Sequence, residues 1–135
     1  MRITINKKEY PLHIGLAFVR ELDKKYTQNF AGVEFGHGIA KIFLALSQYN
    51  PVAYCDFVLA ATCTLDNPPT EEDIEKEIES WEETEVIEKY MAFLDALGES
   101  TLTKAQVAQI AITQLQIEAM AMRPEKKTRK KPIGS

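Results

Sequence analysis

The sequence predicts an α+β fold, mostly α: an N-terminal β-hairpin packed on a bundle of about five to six helices. Residues 2–14 alternate apolar and polar around a short polar turn, the period of paired strands. From Leu16 onward apolar residues recur at helical spacing instead. Proline, glycine and cap residues punctuate that second pattern into separate helices.

The hairpin comes first. Ile3 and Ile5 share one face of Arg2-Ile3-Thr4-Ile5. Tyr10, Leu12 and Ile14 put large groups on one face of a second strand, and Asn6-Lys7-Lys8 supplies the turn, because Asn tolerates positive φ. Pro11 has no N–H to donate, which places its strand at an edge. Two strands alone are marginal in water, so they need a helix across their apolar face. The next segment offers Leu16, Val19, Leu22 and Tyr26, with Arg20, Asp23 and Lys24 opposite. The expected packing runs through Ile3, Ile5, Leu12 or Ile14, and Leu16.

Residues 27–38, with three glycines, are expected to form a loop. Ile39, Ile42, Phe43 and Leu46 mark a helix ending near Asn50, and Pro51 suits the first turn of the next. That helix, 52–65, is apolar nearly all round, which places it in the middle of a bundle. Asp56 interrupts it, on a narrow exposed strip or with a buried partner. Asn67-Pro68-Pro69 stops the chain, and Thr70 caps a short acidic helix with Ile74, Ile78 and Trp81 inward. Ser80 and Glu83 form a capping-box pattern before a helix with the stripe Ile87, Tyr90, Met91 and Leu94, closed by Gly98. Thr103 and Gln106 form another, opening a long helix over about 104–122.

That last helix carries two apolar stripes. Val107, Ile110, Ala111 and Ile117 lie on one side; Ala108, Ile112, Leu115, Ala119 and Met122 form the other. Between Ala105 and Ala121 only Glu118 is charged. Such a helix is either a central core helix, or one that packs through one stripe and offers the other to a partner or a second copy. On the second reading Ala108, Ile112, Leu115, Ala119 and Met122 are the candidate surface.

At 135 residues the chain is expected to form one α-rich domain over 1–123, followed by a disordered basic tail over 124–135, whose Gly134-Ser135 end resembles an expression remnant. The tail carries +4 and the whole chain −4, so residues 1–123 carry −8. Residues 66–99 hold thirteen acids against Lys76 and Lys89. An acidic body argues against phosphate-backbone binding. The start of the sequence lacks a signal-peptide pattern, and its most apolar run, 51–65, is too short to span a bilayer, so a soluble cytoplasmic protein is expected.

Few residues offer chemistry. Cys55 and Cys63 are too far apart on one helix to pair and are expected as small core residues. His13 falls on an exposed strand position. His37 sits between glycines without a Ser, Cys or acid at a telling spacing. Nucleotide-binding glycine patterns and calcium loops are absent. No enzyme, cofactor or metal is expected.

The first 26 residues resemble the opening of the tail assembly chaperones of siphophages and prophages of Gram-positive bacteria. The matching residues are Ile3-Thr4-Ile5-Asn6, Lys8-Glu9-Tyr10, Leu12, Gly15-Leu16, Phe18 and the run Arg20-Glu21-Leu22-Asp23-Lys24-Lys25-Tyr26. Lys7 stands where the family pattern usually has Gly. The resemblance implies a chaperone that binds the tape measure protein, keeps it soluble, promotes tail tube polymerisation, and is absent from the mature virion. It implies the tail tube protein as a second partner, through a longer form made by ribosomal frameshifting, and homo-oligomers along the client. The competing reading is a small nucleic-acid-binding regulator using the basic tail.

Overall fold

A computed structural model describes the backbone of residues 1–30 and 33–122, and the side chains of 1–27 and 37–121. β1 (Arg2–Ile5) pairs antiparallel with β2 (Lys8–Pro11), Ile3 opposite Tyr10 and Ile5 opposite Lys8. The turn is two residues rather than three. Asn6 and Lys7 take φ of 52° and 66°, the left-handed pair that matches a tight turn to strand twist. Leu12 N–H donates to Met1 O at 2.7 Å, and His13 N–H reaches Ala61 O at 3.0 Å, docking the hairpin on the helices. Ile5, Tyr10 and Leu12 are buried there, with Ile3 and Ile14 half-buried.

α1 (Leu16–Lys25) buries Phe18 and Leu22. Leu16, expected under the hairpin, is exposed. Phe18 takes the inward position, its ring edge-on to Phe57 at 5.0 Å. Two residues along a helix is about 200° of rotation, so burying Phe18 turns Leu16 outward.

The expected loop at 27–38 contains a second antiparallel hairpin, β3 (Thr27–Phe30) and β4 (Val33–Gly36). Tyr26 O accepts from His37 N–H at 2.8 Å, closing its base. α2 (Gly38–Ser47) begins immediately, and Gly38 is where it meets α1. A Cβ there would stand 2.6 Å from Leu22 backbone carbon and 2.7 Å from Asp23 nitrogen. Gly38 N–H also donates to Asp23 Oδ1 at 2.9 Å. The close approach leaves no room for a side chain.

α2 buries Ile39, Ile42 and Leu46, as its stripe predicts. Tyr49, at φ 58°, breaks the chain direction after it. Asn50 caps α3 (Pro51–Ala61), accepting from Val52 and Ala53 N–H at 2.8 and 3.2 Å. α3 is buried on most sides. α4 (Glu71–Glu79) opens with a full capping box between Thr70 and Asp73.

The next boundary moves by two residues. Ser80 closes α4, and α5 (Glu83–Glu99) is capped by Glu82, whose N–H donates to Glu85 Oε1 at 3.0 Å. The inward face of α5 is Tyr90, Phe93 and Leu97; Ile87 and Met91 of the predicted stripe are exposed. The aromatic pair decides the rotation. Phe93 stacks on Phe57 at 4.0 Å and on Tyr54 at 4.4 Å, and Tyr90 packs edge-on to Tyr54 at 5.3 Å. α5 continues through Gly98 to Glu99, with Ser100 as its C-cap, instead of stopping at the glycine. Thr103 is buried and its hydroxyl donates to Leu97 O at 2.6 Å, not within a box with Gln106. α6 (Lys104–Met122) follows. Residues 124–135 lie outside the described residues.

Two substitutions test this geometry. Gly38→Ala is expected to lower stability by about 1–3 kcal/mol, because backbone must move to admit the methyl group. Lys7→Gly is expected to raise it by about 0.5–1 kcal/mol, by relieving a left-handed lysine. Urea denaturation of each variant against wild type measures both.

Candidate partner-binding surface

α6 rests on α2 and α5 along a narrow line. Val107 and Ile110 are half-buried; every other described side chain from Lys104 to Ala121 is exposed. Ile112 is 48% exposed, Leu115 65%, Ile117 57% and Met120 67%. α6 is therefore not a central core helix, and Ala111 and Ile117 of its first stripe stand in solvent. The reason lies underneath. Ile42 and Leu46 of α2 and Tyr90, Phe93 and Leu97 of α5 are already buried in the core, so α6 is laid on a closed surface.

The candidate residues Ala108, Ile112, Leu115 and Ala119 are all exposed. At about 100° per residue they share roughly 60° of the helix circumference. Met122 ends the same face in the backbone; its side chain lies outside the described set. Two shallow apolar grooves flank the line where Leu44 of α2 meets Ile110. One, about 430 Å³, includes Phe43, Ala111 and Leu115. The other, about 360 Å³, includes Ala40, Thr113 and Ile117. The contribution of α2 was missed in the sequence. Its signal is Leu44, which falls out of phase with Ile42 and Leu46 and is exposed.

The polar groups elsewhere are structural in their geometry. Asp56, the interruption of α3, is buried, and it has a partner: Lys25 Nζ at 2.9 Å, with the Tyr26 hydroxyl on its other oxygen. The Asp56 carboxylate holds Lys25 protonated above the usual lysine range. Burial, and then the same carboxylate, push Tyr26 well above the usual phenol range. The cluster ties the end of α1 to the middle of α3. Cys55 is half-buried, its thiol pushed up to about 11 by burial and secondarily by Glu71. Cys63, expected in the core, is exposed, because α3 ends at Ala61. Neither is a poised thiolate. His13 is exposed, and His37 Nε2 is buried without a hydrogen-bond partner among the described residues. Among those residues no group of three or more His, Cys, Asp and Glu is placed to hold a metal. No described helix is long and apolar enough to cross a membrane.

These features define an α+β fold, mostly helical, that displays one apolar helix along an acidic body. A family model described as phage tail assembly chaperone protein, TAC, matches residues 2–111. The chain belongs to that family. No curated protein and no solved structure matches it. The match includes β1 through the first eight residues of α6, so Ile112, Leu115, Ala119 and Met122 lie just beyond it.

Because α6 contributes little to the core, the double variant Ile112→Glu/Leu115→Glu is expected to fold with stability within about 0.5 kcal/mol of wild type. Urea denaturation followed by Trp81 fluorescence measures this, and a loss of several kcal/mol would show that α6 is packed after all.

Proposed function

We propose that this chain binds the tape measure protein through α6, keeps that long client soluble in the host cytoplasm, and promotes polymerisation of the tail tube around it. The observation that carries this is α6 itself. A 19-residue helix with Ile112, Leu115, Ile117 and Met120 in water is costly unless a partner covers it. An amphipathic helix of a client is the natural complement, read at i, i+4, i+7 and i+11 from Ala108.

Family membership supports a role in tail assembly. The charge pattern supports a chaperone in particular. Residues 1–123 carry −8, which keeps a complex with apolar contacts in solution. The client of such a protein is far longer than one 135-residue chain, so several copies along it, touching through the same face, follow from the size difference. A longer form extending past the basic tail would recruit the tail tube protein.

Co-expression with the tape measure protein is the test. Wild type is expected to shift the client from the pellet to the soluble fraction, and Ile112→Glu/Leu115→Glu is expected to abolish the shift while remaining folded. An unchanged client with wild-type protein, or full activity of the variant, rejects the proposal. Retention of nucleic acid at moderate salt would favour the regulator instead.

A further inference from the structure

A groove of about 390 Å³ runs between the first turns of α3 and one side of α4. Its floor is apolar: Val52, 63% exposed, with half-buried Cys55 and Ile78. Its rim is acidic. Glu71, Glu75 and Glu79 are spaced four apart, so they form one row along α4, and all three are exposed. Like charges at that spacing repel one another. Among the described residues no cation pairs with any of the three. Lys76 of α4 reaches Glu72 instead, at 3.8 Å, and Lys25, which also lines the groove, is held by Asp56 at 2.9 Å. The lining therefore sets four carboxylates against one engaged lysine. The cleft of about 350 Å³ between β1 and α5 differs, because the Met1 ammonium, Arg2 and Lys89 stand among its glutamates.

The end of the described chain lies on the same side of α2 as this groove. Gln106 of α6 shares a groove with Ala40, and Glu118 shares one with Ser47, so α6 runs in the same direction as α2. α6 thus ends near the end of α2, where the chain turns through Asn50 into Pro51 and Val52. The thirteen residues after Met122 span up to about 43 Å when extended. Their composition is the complement of the groove. Lys126, Lys127, Arg129, Lys130 and Lys131 stand against Glu125 alone, and Ile133 follows them as a large apolar side chain.

We propose that the basic tail of this chain docks in its own α3–α4 groove. Arg129, Lys130 and Lys131 lie along the row Glu71, Glu75 and Glu79, and Ile133 rests on the floor at Val52 and Ile78. Exposed ion pairs are weak singly. The tether offsets this, since a short connection gives an effective concentration in the millimolar range. The apolar floor distinguishes the groove from the rest of the acidic surface. This docking is separate from the α6 face and stands whether or not α6 binds a tape measure protein.

The test places a nitroxide on the tail of the full chain, as Thr128→Cys in a Cys55→Ala/Cys63→Ala background, and reads backbone amide signals by NMR. Amides of residues 51–55 and 71–79 are expected to lose most of their intensity. Raising salt to about 0.5 M, where screening acts over a few Å, is expected to restore them. Glu71→Gln/Glu75→Gln/Glu79→Gln is expected to restore them at low salt, with circular dichroism establishing that it is folded. Arg129→Gln/Lys130→Gln/Lys131→Gln, which leaves the body untouched, is expected to do the same, and Ile133→Asp to restore them in part. Full intensity at the groove in the labelled protein overturns the proposal. Unchanged broadening in the folded glutamine variant of α4 also overturns it, by showing attraction to the acidic body at large. So does broadening that passes from spin-labelled to isotope-labelled chains in a mixture, which would place the tail on a second copy.

Discussion

The stack of Phe57 on Phe93, with ring centroids 4.0 Å apart and nearly parallel, sets how α3 and α5 face each other. Tyr54, one turn before Phe57, stacks on the same Phe93 ring, and Phe18 of α1 closes on Phe57 from the side. Three helices are thereby fixed in rotation by one set of aromatic contacts. Aromatic side chains dominate core energetics through their buried area, and offset geometry makes them directional as well. Once Phe18 and Phe93 point inward, Leu16, Ile87 and Met91 have no choice but to face water. The N-terminal hairpin then lies over the end of α3, held at Ala61 O.

That arrangement explains why α6 is left outside. The core is complete with α1 to α5 and the first hairpin, each contributing buried residues to one continuous cluster. α6 adds only Val107 at its margin. Its sequence would suit an interior, yet no interior remains for it. Apolar composition and lack of burial are in conflict within this chain, and a second molecule would resolve the conflict.

The elements best read from the sequence were those set by local chemistry. The first hairpin rests on strand alternation and a turn that Asn6 tolerates, the start of α3 on Pro51 at its first turn, and the start of α4 on the Thr70 hydroxyl bonding to nearby backbone. The fold class and the family resemblance were legible for the same reason. What was not legible depended on competition between distant groups. Leu16 and Phe18 are both plausible inward residues of α1, and only Phe57 decides between them. Glycines at 32, 36 and 38 read as a loop, although β3 and β4 pair there as strands. The double stripe of α6 was visible, but its exposure was not, since periodicity says which residues share a face and nothing about what covers that face. The contribution of Phe43 and Leu44 came from a neighbouring helix and has no signature in α6 at all.

The single tryptophan has a consequence for how the molecule comes apart. Trp81 packs edge-on to Tyr54 at 4.8 Å and to Tyr90 at 6.2 Å, inside the body. α6 contains no aromatic residue. An isolated helix of its length is marginal in water, and among its described side chains only Val107 and Ile110 are even half-buried, so its hold on the body is weaker than that of the core helices on one another. Fluorescence follows the body alone, whereas helical ellipticity counts both. The stability read from Trp81 is therefore that of the body, while ellipticity also carries the state of α6.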